Sequence, residues 1–155
     1  MCRVLGSINT EREFDMKQQV SVITLPVADL AASKAFYAEG LGWSPVFDDG
    51  DVVFFQFNGF VLGLWRKASF EKDTGVAAAP GSHSFALGHN VESRDEVDRL
   101  LALAESLGAR ITRGAAVLPW GGYSGLFADP DGHLWEVAHN PAWKVSEEGY
   151  VTFSQ

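Results

Sequence analysis

The sequence holds a single cysteine, Cys2, so no disulfide can form within the chain. Packing and hydrogen bonds must hold the fold, and a reducing cytoplasm is the expected setting. Basic runs are as scarce: none exceeds Arg66-Lys67, and the formal net charge is −8. Nucleic-acid binding needs clustered lysine and arginine, so that class of partner is excluded. No apolar run approaches the roughly 18 residues that cross a bilayer. Arg3, Glu11, Arg12 and Glu13 break up the first fifteen residues, which therefore lack a signal-peptide core. A soluble protein is expected, with no membrane partner.

What is present is enough to fill an interior. Hydrophobic residues make up 46% and charged residues 21%, too few charges for a disordered chain. Residues 1–15 show no period and form an N-terminal arm. Organisation begins near Gln19. A β-branched strand over 20–25 ends at Pro26, and Asp29 stands where a helix N-cap should. A helix over 30–39 follows, closed by Gly40. Three extended runs come next, over 44–48, 52–57 and 60–66, divided by the turn dipeptides Asp49-Gly50 and Asn58-Gly59.

Residues 67–82 mix charges, alanines and Pro80-Gly81, and read as a linker. The order then starts again. Residues 84–90 are strand-like, and Ser93-Arg94-Asp95-Glu96 spells a capping box. Val97, Leu100, Leu101, Ala104 and Leu107 recur at helical spacing up to Gly108. Strands over 110–118, 123–128 and 133–139 follow, with Asp131-Gly132 as a turn. Residues 141–155 form a tail with Trp143 and Tyr150 as anchors.

Strand, helix and three strands therefore occur twice, as 16–66 and 83–140. The strand-to-helix joins pair Val27 with Val91 at an offset of 64, and the last hairpins pair Gly59 with Gly132 at 73. The difference places an insertion near Ala115–Tyr123. One unit alone would leave a sheet face bare, so the two must share a core. The fold class is α+β: two βαβββ repeats forming curled mixed sheets around a shared cleft. A doubly wound sheet fits less well, because three strands run without an intervening helix.

Residues 25–37 (LPVADLAASKAFY) with Gly40-Leu41-Gly42-Trp43, and residues 127–137 (FADPDGHLWEV), resemble the opening and closing motifs of the vicinal oxygen chelate superfamily, which joins glyoxalases, bleomycin-resistance proteins and dioxygenases. The likeness covers about residues 19–140. It implies two curled sheets enclosing a cavity, a homodimer, and in the metalloenzymes a divalent ion held by four strand residues, two per repeat. Carried over residue by residue, those positions are Val22, Gly63, Ala86 and Glu136. Only Glu136 has a donor atom. No metal or other cofactor is expected unless His83, His89 or His139 joins it. Strand alternation puts Ser84, Gly88 and Asn90 on the face of Ala86, His83 and His89 on the other, and His139 opposite Glu136.

The aromatics suggest a pocket. Val61 and Trp65 share the face of Gly63, Phe55 and Phe57 share one face of their strand, and Trp120 and Tyr123 flank Gly121-Gly122 at a lip. Flat rings suit planar or apolar ligands. Trp65, Trp120, Tyr123, Phe55, Phe57 and Asn90 are the pocket candidates, with Trp43 and Trp135 read as core. Ser124 lacks nucleophile-elbow spacing, Cys2 lacks a positioned base, and no phosphate-cradling glycine loop exists.

The expected function is small-molecule binding in an aromatic cleft without the usual metal site, comparable to family members that sequester antibiotics. The alternative is a glyoxalase-like lyase or isomerase, or a dioxygenase-related enzyme, with a rearranged metal site or with Glu136 as general base. A third reading is a vestigial pocket on a protein-binding surface.

Overall fold

The computed structural model describes residues 18, 20, 22–74, 77–79 and 86–152. The N-terminal arm with Cys2, residue His83 and the expected strand start at Ser84 lie outside them. The first unit runs β1 (Val22–Val27), α1 (Leu30–Lys34, continued as a π-helical stretch over Ala35–Gly40), β2 (Pro45–Asp48), β3 (Val52–Gln56) and β4 (Val61–Arg66). The second runs β5 (Ala86–Asn90), α3 (Arg94–Ser106), β6 (Arg110–Val117), β7 (Tyr123–Ala128) and β8 (Leu134–His139). Each unit forms a four-stranded sheet, in the orders β1-β4-β3-β2 and β5-β8-β7-β6. In each, the first and last strands pair in parallel and the remaining pairs are antiparallel.

The two units are copies down to register. Thr24 pairs with Gly63 across β1 and β4, and Gly88 pairs with Glu136 across β5 and β8. Those pairs interchange at the offsets of 64 and 73 read from the sequence. The N-caps also match: Asp29 accepts from Ala32 N, and Ser93 from Glu96 N, with Glu96 returning a bond to Ser93 N. Gly59 and Gly132 turn into β4 and β8 at φ of 85° and 87°, left-handed backbone that only glycine enters freely. The extra residues of the second unit sit in β6 and its turn. Two irregularities in the β6–β7 register, after Ile111 and after Arg113, leave unpaired residues in β6.

The segment joining the units differs from the expected linker. It opens with α2 (Lys67–Thr74), which follows β4 directly. Lys67 and Glu71 pair at 3.6 Å, Ser69 donates to Asp51 at 2.6 Å, and Phe70 meets Trp65 edge-on. No cap or turn residue announces this helix, and tertiary anchors on Asp51 and Trp65 hold it. The tail forms a short hairpin, β9 (Lys144–Val145) and β10 (Val151–Thr152). No helix among the described residues is long and apolar enough to cross a membrane.

Both sheets turn one face into a common core. Leu25, Val27, Val53, Phe55, Leu62 and Leu64 from the first meet Val97, Leu101, Phe127, Trp135 and Val137 from the second, with Phe36 and Tyr37 between them. Tyr37 Oη donates to Asp129 Oδ2 at 2.6 Å and accepts from Trp135 Nε1 at 2.9 Å, all three buried. Burial, then the Asp129 charge, push the Tyr37 hydroxyl well above its ordinary pKa, so it remains a donor. Ala28 N donates to Asp131 Oδ1, and His133 Nε2 donates to the Pro26 carbonyl, at 2.8 Å each. The hairpin motif of the second unit is thus bolted to the strand-to-helix motif of the first.

Candidate functional site

The four mapped positions lie on the sheet faces turned away from this core. Val22 is 51% exposed and offers only hydrocarbon. Ala86 pairs with Leu134 and likewise has no donor. At Gly63 an added Cβ would fall 3.0 Å from Phe54 Cε1, so an aromatic ring covers the place of a side chain. Glu136 is half-buried and engaged. Ser124 Oγ donates to its Oε1 at 2.8 Å, and Arg113 Nη2 lies 3.5 Å from the same oxygen. Arg113 also donates to Ser124 Oγ at 2.7 Å and to its carbonyl at 3.0 Å. This donor set does not fit a divalent ion, and no group of three or more metal-binding side chains occurs among the described residues.

Sequence reasoning missed Arg113, and the reason is geometric. Ile111 pairs with the core residue Phe127, so strict alternation would send Arg113 to the core side. The irregularity between them pairs Arg113 with Leu126 instead, which puts the guanidinium on the face of Glu136. His89 and His139 stay on the far side. His139 Nδ1 lies 3.2 Å from the Val91 carbonyl, on a residue paired with Tyr123, and His89 is paired with the core residue Val137. His89, though exposed at the surface, is held below the ordinary imidazole pKa by partial desolvation of its ring, only partly offset by Glu96.

A wide opening lies elsewhere. A cleft of about 890 Å³ runs between the β3–β4 end of the first sheet, the free edge of β5 and the C-terminal hairpin. Trp43, Phe55, Phe57, Phe60, Trp135 and Trp143 supply its aromatic walls, and Gln56, Asn90 and Glu148 its polar rim. That volume lies within the range of about 300–1,000 Å³ usual for small-molecule sites. The Trp43 ring stands edge-on to Phe57 at 5.0 Å and to Trp135 at 5.6 Å. Asn58 Nδ2 donates to the Glu148 carbonyl at 2.9 Å, tying the hairpin to the β3–β4 turn. A smaller, apolar cavity of about 70 Å³ adjoins it, lined by Leu41, Trp43, His89, Leu100, Leu103, Phe127, Trp135 and Val137.

The cleft gathers only some of the expected pocket residues. Phe55, Phe57 and Asn90 line it. Trp65 instead donates from Nε1 to Asp51 Oδ2 at 2.9 Å and packs on Phe70. Trp120 is 50% exposed in the β6–β7 turn, its ring lying over Gly122. Tyr123 faces α3, donating to Asp98 at 2.7 Å beneath the Arg94 guanidinium. Trp43 and Trp135, read as core, are core and cleft wall together. The tail anchors Trp143 and Tyr150 prove to border the same cleft. The free edge of β5 decides this, because the gap it leaves between the two units exposes residues of the shared core.

A family model described as Glyoxalase/Bleomycin resistance protein/Dioxygenase superfamily matches residues 19–137. No curated protein matches the chain. Among solved structures, a glyoxalase-related enzyme from Fulvimarina pelagi is 46% identical, over 90% of this chain and 100% of that one, with a TM-score of 0.85. A glyoxalase/bleomycin resistance protein/dioxygenase from Nocardioides is 24% identical, over 82% of this chain and 86% of that one, at 0.67. A lactoylglutathione lyase from Agrobacterium tumefaciens is 23% identical, over 81% and 96%, at 0.63. The last two are alike in fold alone.

Proposed function

The chain belongs to the Glyoxalase/Bleomycin resistance protein/Dioxygenase superfamily, and on that premise we propose that it binds a small planar or apolar molecule in its aromatic cleft, without a divalent metal. The observation that carries this reading is the cleft itself: about 890 Å³ walled by Trp43, Phe57, Phe60 and Trp143. Hydrocarbon or hydrogen at Val22, Gly63 and Ala86 supports the metal-free part. A lone carboxylate already paired with an arginine holds divalent ions weakly. Elemental analysis of purified protein should find less than about a tenth of an equivalent of divalent metal. Stoichiometric Zn, Ni, Mn or Fe would overturn that part, and flat apolar dyes that leave tryptophan emission unchanged would overturn the cleft.

A second reading is a glyoxalase-related lyase or isomerase with Glu136 as general base. Two observations favour it. The 46%-identical protein from Fulvimarina pelagi is called a glyoxalase-related enzyme. Among the described residues, Glu136 Oε2 has no hydrogen-bond partner, while Arg113 beside Oε1 could steady an oxyanion. A homodimer in the reducing cytoplasm completes the proposal. The exposed apolar residues Val22, Val46 and Phe47 of the first sheet support a covering copy, and light scattering at twice the chain mass is the expected result.

A further inference from the structure

Cleft and small cavity share three walls, Trp43, His89 and Trp135. From this we infer that they form one two-part site for a neutral, flat aromatic molecule bearing a short apolar chain beside a hydroxyl or carbonyl group, with His89 at the joint. The inference rests on the cleft being a binding site and adds what it binds.

Size sets the chain length. At roughly 10–15 Å³ per water-sized group, the small cavity of about 70 Å³ takes about five to seven such groups. It has room for a propyl chain. Its other walls are hydrocarbon, and the indole N–H of Trp135 is already given to Tyr37. Those hydrocarbon walls favour an apolar group there over a polar one.

The joint sets the polar group. Among the described residues no protein group bonds the His89 ring, which borders both spaces. Partial desolvation of the ring lowers its pKa and favours the neutral form, which carries one donor and one acceptor nitrogen. It can therefore meet a hydroxyl or a carbonyl placed where the chain leaves the aromatic ring. The rim sets the charge: Glu148 borders the cleft and is held below the ordinary carboxylate range by its own backbone N–H and by Ser146, so it stays anionic and repels an acid.

Calorimetry on the full chain with 1-naphthol, 2-propyl-1-naphthol and 4-propyl-1-naphthol tests this. Each buried methylene is worth a factor of about four, so the 2-propyl compound should bind tenfold or more tighter than 1-naphthol. The 4-propyl isomer, whose chain lies across the ring from its hydroxyl, should gain much less. Leu103→Trp should abolish the gain by filling the small cavity while leaving 1-naphthol bound. His89→Phe should remove the preference for 2-propyl-1-naphthol over 2-propylnaphthalene. Equal binding of the three naphthols, or an undiminished gain in Leu103→Trp, would overturn the two-part site and leave the cleft standing. If 1-naphthol itself does not bind, the cleft reading falls as well.

Discussion

Gly63 and Glu136 occupy the same place in two copies of one unit, and each copy fills that place differently. In the first sheet the side chain is gone and the facing Phe54 covers the gap, 3.0 Å from where a Cβ would be. In the second the carboxylate remains, but the facing residue is Leu126, and a bulge brings Arg113 alongside. Truncation needs two apolar residues; neutralisation needs a change of strand register. The lesson is that a shared backbone fixes where a side chain can stand, while its cross-strand neighbours decide what it can do.

The helices repeat that contrast. Tyr37 of the first unit corresponds to Leu101 of the second at the offset of 64. Tyr37 bonds Asp129 and Trp135 of the other unit, whereas Leu101 packs within its own, close against Gly125. Tyr37→Phe keeps the ring and deletes both bonds, leaving a buried carboxylate oxygen and an indole N–H short of a partner. It should cost about 2–6 kcal/mol in denaturant unfolding, from a typical penalty of about 1–3 kcal/mol for each of the two buried groups left unsatisfied. A cost near zero would mean that the units are joined by apolar packing alone.

Copying one ligand position into the other tests the contrast directly. Gly63→Glu should cost about 1–3 kcal/mol through overpacking against Phe54, and adding Phe54→Ala should return part of that loss. Equal stability of the single variant and the parent would show that Phe54 does not fill the space beside Gly63.

The smallest effect expected is one of pH, and the two units should pull in opposite directions. Bonds from Ser69 and Trp65 depress the folded-state pKa of Asp51, so its contribution is present above the unfolded value near 3.8 and is lost as pH falls through the lower folded value. Burial raises that of Asp131, outweighing its bond from Ala28, so its ionisation weakens the fold. That penalty is relieved as pH falls through the raised value toward 3.8. Relative to the parent, Asp51→Asn should flatten the acid limb of a stability profile, and Asp131→Asn should steepen it.

The duplicated fold was legible because it is written in local signals. Asp29 and Ser93 cap helices, Gly59 and Gly132 turn into final strands, and alternation marks the strands between them. α2 was not legible, since nothing in its own sequence marks a start and its anchors, Asp51 and Trp65, come from elsewhere. The site was half legible. Counting donors at Val22, Gly63, Ala86 and Glu136 needed the family resemblance and the offsets, and Phe55, Phe57 and Asn90 did reach the cleft. Trp65, Trp120 and Tyr123 did not, because Asp51, Gly122 and Asp98 claim their rings.

The amino-acid sequence by itself determined the repeat, its offsets and the helix caps and turns within it, because each depends on residue identity and period along the chain. Tertiary structure alone decided that Arg113 faces Glu136, that the gap at the free edge of β5 turns core tryptophans into cleft walls, and that a hairpin in the tail borders the opening. Those outcomes depend on bulges and on how two units lean together, and neither leaves a local mark in the order of residues.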